Sequence, residues 1–173
     1  TLEENRSYSF VLTGLAAPEG FQPNPAEEET ALQLLANDEI RTVAPDTNSV
    51  EIQFVHAVPD APVLDVIAVT DGDSSAFVDD LKFGEAAPYL AFPVNASEIL
   101  LTLGSDRSVV VGTFSTDFTP YGGSALIALA FLVGIEGLLR LAGFQVVGDV
   151  ERMEFTFPID DYNQGAPEPF LRR

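Results

Sequence analysis

Alternating apolar and polar residues dominate the pattern of this chain. At 50–57, apolar side chains at Val50, Ile52 and Phe54 alternate with polar ones, a period of two that is typical of a half-buried strand. His56 falls on the apolar face of this strand. The same pattern predicts further strands at 63–69, 89–92, 99–103, 109–114, 124–133, 138–147 and 153–157. Many short strands separated by turn-rich pieces predict an all-β fold, an antiparallel β-sandwich of the immunoglobulin-like or transthyretin-like type.

Two parts of the chain repeat one order of elements. Residues 8–43 and 124–150 each contain an apolar strand, a glycine-containing turn and a second apolar strand followed by an acid. Such self-similarity indicates a repeat architecture. We therefore predict three regions: 1–45 is the C-terminal hairpin of an incomplete preceding repeat plus a linker, 46–158 is a complete β-sandwich repeat, and 159–173 is an extended C-terminal arm.

The predicted N-terminal hairpin, with strands at 7–15 and 31–35, lacks a parent sheet. A two-stranded hairpin is marginal in water, so we expect it to pack on the complete repeat or on another molecule. The strand at 125–132 is apolar on both faces, and the hairpin is the nearest candidate to cover its second face. The loop at 17–29, rich in proline and acid, predicts a solvated excursion. Candidate assembly-interface residues are Tyr8, Phe10, Leu12, Leu126 and Leu132.

Charge and composition narrow the class of partner. The chain has 27 acidic and 8 basic residues, a net charge of -19, which disfavours nucleic acid. The absence of cysteine excludes disulfides, thiolate nucleophiles and cysteine-ligated metals. The most apolar run, 125–133, is shorter than the roughly 20 residues that a membrane helix requires. We expect no membrane span and a secreted or cell-surface protein, with this chain either a processed product without its leader or an excised segment.

The only histidine lies in a distinctive motif, VHAVPDAPVLDV at 55–66. This motif resembles the signature of domain-of-unknown-function family 4397, secreted β-sandwich domains that often occur in tandem. The matching positions include His56, Pro59, Asp60, Pro62 and Asp65, whereas Val58 replaces a small polar residue of the family pattern. The segment 81–93 resembles the family's Phe-Gly and Tyr segment. The resemblance implies a tandem surface domain and carries no assigned reaction.

The motif has a structural interpretation on its own residues. Pro59 and Pro62 fix backbone angles, and Asp60 is suited to hydrogen-bond the amides of the turn. If the flanking strands form a tight hairpin, His56 and Asp65 face each other and satisfy each other's polar groups. We predict a structural role and no catalytic residue, because no nucleophile motif accompanies the histidine. A hydrolase centred on His56 is the less favoured alternative.

A second group of carboxylates lies at 71–80, DGDSSAFVDD. This segment predicts a loop carrying Asp71, Asp73, Asp79 and Asp80, and calcium favours such oxygen ligands. The spacing matches no EF-hand loop, so a solvated turn is favoured over a calcium site. We predict no cofactor.

The function predicted from these features is structural. We expect a non-catalytic extracellular structural or adhesion protein that associates with itself or with another cell-surface protein. Strand exchange at the incomplete N-terminal repeat, head to tail, would produce filaments. A surface module that binds calcium, glycans or a protein is the alternative of a different class.

Overall fold

The computed structural model describes residues 3–4, 6–133, 138–145 and 154–156, with side chains up to residue 130. The regular elements of this part are strands and two 3-10 turns, which confirms the predicted all-β sandwich. The predicted C-terminal arm, 159–173, lies outside the described residues. The strands are β1 Ser9–Thr13, β2 Gln33–Asn37, β3 Ser49–His56, β4 Leu64–Thr70, β5 Asp73–Leu81, β6 Leu90–Pro93, β7 Ala96–Leu103, β8 Asp106–Ser115, β9 Ala125–Val133, β10 Leu138–Gln145 and β11 Glu154–Thr156.

Two sheets form the sandwich. One has the strand order β11-β10-β9-β3-β6 and the other the order β5-β4-β7-β8. The expected antiparallel pairing holds for the strand pairs except β3 and β9, which run parallel. The second and third strands of the sandwich, β4 and β5, share one sheet, whereas the immunoglobulin fold places its second and third strands in opposite sheets. The strand order therefore differs from the immunoglobulin-like arrangement, one of the two expected types.

The hydrophobic core lies between these sheets. The ring of Phe92 in β6 is at its centre, with ring centroids 3.9 Å from Phe77 and 5.5 Å from Phe54. Alternate residues of β3, β4, β7 and β9 complete the core, as the period of two requires. Strand β3 is buried on its other face as well: Glu51, Gln53 and Val55 are at most 6% exposed.

The N-terminal hairpin, β1 and β2, covers that second face of β3. The two strands form a separate two-stranded sheet that belongs to neither sheet of the sandwich. A groove between hairpin and sandwich is lined by Val11, Leu35 and Asn37 on one side and by Gln53 and Val55 on the other. The hairpin thus packs on its own chain as a third layer over β3, and it lies beside the doubly apolar strand β9 at Leu129.

Strand β5 was predicted as a loop, and that prediction is wrong. Asp73–Leu81 is an edge strand that pairs only with β4 among the described residues. Its first half is exposed and polar, and register shifts interrupt its pairing with β4. Asp80, at this irregularity, has a φ of 55°. Because of the exposed polar half and the irregular pairing, the sequence of β5 does not show the alternation of apolar and polar residues that identifies a strand.

Candidate functional site: an N-terminal hairpin seated on the sandwich

The outward side of the hairpin is an exposed apolar surface. Phe10 is 52% exposed, Leu12 65% and Leu34 59%. Leu12 pairs with Leu34 across the two strands, and Phe10 pairs with Ala36, so these side chains share one face. We call this group, Phe10, Leu12, Leu34 and Ala36, the outer face. Tyr8 extends it, because its ring stacks on Phe10 at a centroid distance of 6.3 Å and an angle of 13°.

The free edge of β1 lies beside an apolar groove. In the described part of the chain, β1 forms a ladder with β2 only. The groove beside it is lined by Val11 and Leu15 of the hairpin segment and by Ala57, Pro59 and Leu129 of the sandwich. Leu129, on the second face of β9, is only half-buried. The hairpin therefore leaves part of β9 uncovered where a further strand beside β1 would lie.

The inward side of the hairpin is held by side-chain hydrogen bonds. Asn37 Nδ2 donates to Gln53 Oε1 at 2.6 Å, and Thr13 Oγ1 donates to the Ala57 carbonyl at 3.1 Å. Gly84 approaches the hairpin so closely that a Cβ there would lie 2.7 Å from Gln33 Nε2. These contacts fix the hairpin over β3 without a shared backbone ladder.

The loop predicted as a solvated excursion is anchored by Asn24. This asparagine is buried, and its Nδ2 donates to the carbonyls of Pro59 and Ala61 at 2.8 and 3.1 Å. Its Oδ1 accepts from the Ala26 amide at 2.7 Å. No sequence pattern indicated this residue, because an asparagine in a proline-rich loop ordinarily predicts a turn. The two carbonyls that it caps belong to the distinctive motif, so the motif is part of the hairpin's binding surface.

The linker after the hairpin carries one ion pair onto β3. Arg41 Nη1 lies 2.7 Å from both carboxylate oxygens of Glu51, and its guanidinium is 5.4 Å above the centre of the Tyr89 ring. The hydrogen bond to Glu51 raises the pKa of Arg41. Glu51 is buried, so this partner compensates a charge that would otherwise be costly to bury.

His56 is fully buried and both of its ring nitrogens have backbone partners. The Val58 amide donates to Nδ1 at 3.2 Å, which assigns the proton to Nε2, and Nε2 lies 3.1 Å from the Pro62 carbonyl. Burial lowers the pKa of His56, an effect opposed by the Pro62 carbonyl and Glu85. The neutral ring therefore links the Val58 amide to the Pro62 carbonyl and stabilises the turn from β3 to β4.

The predicted contact between His56 and Asp65 is not made. Strands β3 and β4 lie in opposite sheets, so the motif crosses between sheets instead of forming a hairpin. Asp65 is buried at the other sheet, where it accepts from Arg107 Nε at 2.6 Å and from the Asp80 amide at 2.7 Å. Arg107 also pairs with Asp79.

Asp60 is the exception among the buried groups of the motif. It is 6% exposed, and neither carboxylate oxygen has a hydrogen-bond partner on another residue. Burial raises its pKa above the ordinary value, and its own backbone amide opposes that effect only in part. Asn24 cannot satisfy it, because both Nδ2 hydrogens are used by the adjacent carbonyls.

The four aspartates of the calcium alternative do not share a loop. Asp71 and Asp73 lie at one end of β5 and Asp79 and Asp80 near the other, roughly 20 Å away at 3.3 Å per strand residue. Asp71 accepts from Asn95 Nδ2 at 3.2 Å, and Asp79 pairs with Arg107. Among the described residues, no three His, Asp or Glu side chains are close enough together to hold a metal ion.

Two of the candidate interface residues fall on β9. Leu126 is buried in the sandwich core, so its assignment to an assembly interface is wrong. The interface assignment of Leu132 concerns a side chain outside the described residues. Tyr8, Phe10 and Leu12 do lie at the surface of the hairpin.

Comparisons with known proteins give no relative. No family model matches this chain, and neither the curated proteins nor the solved structures contain a significant match. The resemblance of the 55–66 motif to domain-of-unknown-function family 4397 therefore stays a prediction. In the described residues, no helix has the length and apolar character needed to span a membrane.

Proposed function

We propose that this protein is a non-catalytic structural protein of the cell exterior, and that copies of it assemble through the N-terminal hairpin. The observation that carries the proposal is the outer face, an apolar surface on a hairpin that no described strand completes. Assembly on this surface buries apolar area that water otherwise contacts. The bound element is an extended strand of a second copy.

The free edge of β1 supports strand addition as the mode of assembly. An unpaired edge offers backbone donors and acceptors to an incoming strand, whose alternate side chains enter neighbouring pockets. The groove beside β1 supplies such a pocket, lined by apolar side chains that include Leu15, Pro59 and Leu129. An added strand covers Leu129 of β9, which the hairpin leaves half-buried.

The charge of the chain supports assembly that depends on salt. Copies with a net charge of -19 repel each other, and salt shortens the range of this repulsion to about 3 Å at 1 M. The outer face has no charged residue, so its attraction does not weaken in the same way. We expect assembly to increase with salt concentration.

The test is a double substitution on the outer face, Phe10→Ser with Leu12→Ser. Sedimentation velocity over a concentration series, at low and high salt, measures the size of the particles, and electron microscopy shows their form. A matched control is Val110→Ser, which removes an exposed apolar side chain on β8 of the opposite sheet. We expect large assemblies from the parent chain and from the control, and their loss in the double variant.

Two results would contradict the proposal. Single particles from the parent chain at every salt concentration exclude self-assembly. Assemblies from the double variant that equal those of the parent chain show that the outer face does not form the interface.

A further inference from the structure

We infer that the N-terminal segment 6–37 is an exchangeable arm, and that its binding surface on the sandwich accepts the arm of a second copy. This inference rests on the proposed self-assembly and adds a second contact between the copies, on the inward side of the hairpin. We call the surface the seat and define it by the four residues whose acceptors the arm satisfies: Gln53, Ala57, Pro59 and Ala61.

The arm is joined to the sandwich in a way that permits exchange. Strands β1 and β2 pair with each other and form no backbone ladder with β3 or β9. The specific links to the seat are side-chain hydrogen bonds from Thr13, Asn24 and Asn37. Removing the arm therefore breaks no strand pairing of the sandwich.

The arm and the seat nevertheless depend on each other. A hairpin of two strands is marginal alone, and an empty seat exposes apolar side chains beside it, such as Val55, to water. Gln53 and Ala57 are buried, and each lines a groove that the arm also lines. When the arm leaves, the arm and the seat therefore each need a partner of the same shape as the one they lost.

A second copy of this chain is the partner that restores every contact. The three donor residues, Thr13, Asn24 and Asn37, come from both strands and from the loop between them. Thr13 and Asn37 each meet one acceptor of the seat, and Asn24 meets two. A single foreign strand does not present this pattern. An identical arm reproduces it fully, which makes exchange between copies a low-cost route to assembly.

The hinge is the exposed segment between the arm and the sandwich, residues 38–42. Beyond it, Val43 forms a bridge with Ser124, and the Ala44 amide donates to the Gly123 carbonyl at 2.8 Å. The ion pair of Arg41 with Glu51 lies inside this segment, so an arm that extends over all five residues has to break it. Five residues span at most about 17 Å when extended, so the exchanging copies lie close together, and short hinges of this kind favour swapping.

The experiment uses the absence of cysteine in the full chain. One copy carries Thr13→Cys and another carries Ala57→Cys, two positions that line the same groove. The two chains are mixed in denaturant, refolded together at high salt and oxidised mildly. The Thr13→Cys chain carries a size tag, so that the mixed disulfide separates from both homodimers on a non-reducing gel. This mixed disulfide requires an arm in the seat of the other copy, and we expect this covalent heterodimer.

Three controls make the result specific. Ser108→Cys, in β8 of the opposite sheet, replaces Ala57→Cys and is expected to give no heterodimer with Thr13→Cys. A single chain with both Thr13→Cys and Ala57→Cys reports closure within one molecule. Circular dichroism establishes that each variant folds. If Ala57→Cys does not fold, the pair Asn37→Cys and Gln53→Cys tests the same contact between arm and seat.

The outcomes separate this inference from the proposed function. Assemblies in sedimentation without the covalent heterodimer, together with closure of the double variant within one chain, overturn arm exchange and leave assembly through the outer face intact. Single particles in sedimentation overturn both. The heterodimer with the matched control negative establishes the exchange.

Discussion

The two hairpins of this protein, β1–β2 and β9–β10, have similar local patterns and different surroundings. Each is an antiparallel pair. Strand β9 gains a third strand, because β3 lies parallel beside it, and Leu126 is buried in the core. Strand β1 has no third strand among the described residues, and its Leu12 is exposed. A hairpin becomes part of a core only when a neighbouring strand and an opposing sheet are available.

The largest effect should come from matched leucine substitutions in the two hairpins. Leu126→Ala leaves a cavity between the sheets and is expected to lower the free energy of unfolding by about 3 kcal/mol. Leu12→Ala should change it by less than about 0.5 kcal/mol, because the side chain is already in water. Chemical denaturation of both variants measures the difference, and equal losses would contradict the exposed position of β1.

The next effect concerns the anchor of the arm. Asn24→Ala removes the donor to two buried carbonyls and is expected to cost about 2 kcal/mol. Asn48→Ala is the control, since the Asn48 side chain donates to the exposed Asp46 side chain in its turn. We expect thermal unfolding to shift for Asn24 alone. A shift of the same size for both would mean that the loop is not anchored at the motif.

Two aspartates of the motif should respond to amidation with opposite sign. Asp60→Asn removes an unpartnered buried charge and should stabilise the protein at pH 7 by about 1 kcal/mol, whereas Asp65→Asn breaks the pairing with Arg107 and should destabilise it by about as much. Denaturation midpoints at pH 7 give both signs. Losses for both variants would show that Asp60 has a partner in solution.

The pH dependence follows from the raised pKa of Asp60. Because the folded pKa exceeds the unfolded one, the folded state binds this proton more tightly. The stability that the proton contributes is complete below the unfolded pKa and is lost as pH rises through the folded pKa. Asp60→Asn should remove this fall, which a series of unfolding curves across that range would detect as a flatter profile than that of the parent chain.

The smallest effect is expected at the exposed ion pair between Lys82 and Glu28, which links the loop of the arm to the sandwich at 2.9 Å. Lys82→Gln should cost less than about 0.5 kcal/mol, because water and salt screen such pairs. Unfolding at low and high salt checks this estimate. A loss as large as that of Asn24→Ala would place the anchor of the arm at the ion pair instead.

The local pattern was sufficient for most strands and insufficient for the candidate site. Alternation identified β3, with Val50, Ile52 and Phe54 on its core face, because burial of one face forces a period of two. It missed β5, an edge strand whose exposed first half satisfies no such constraint. The pairing of His56 with Asp65 failed for another reason, because proximity in sequence does not determine whether a turn stays in one sheet.

The candidate functional residues also divide into those that local sequence could identify and those that it could not. Phe10 and Leu12 were identified as interface candidates because apolar residues on a hairpin without a sheet need a partner. Leu126 has the same kind of local sequence, yet the opposing sheet buries it. No local sequence pattern indicates the role of Asn24, since its partners are backbone carbonyls 35 and 37 residues away.

The sequence by itself determined the class of fold, the alternation of the strands, the strongly acidic charge and the need of the hairpin for a covering partner, because each of these follows from local composition or periodicity. Only the tertiary structure decided that the motif crosses between sheets, that His56 is satisfied by backbone groups and Asp60 by no other residue, and that the arm lies on its own chain. These depend on contacts between segments far apart in sequence, and such contacts form only when the sheets pack.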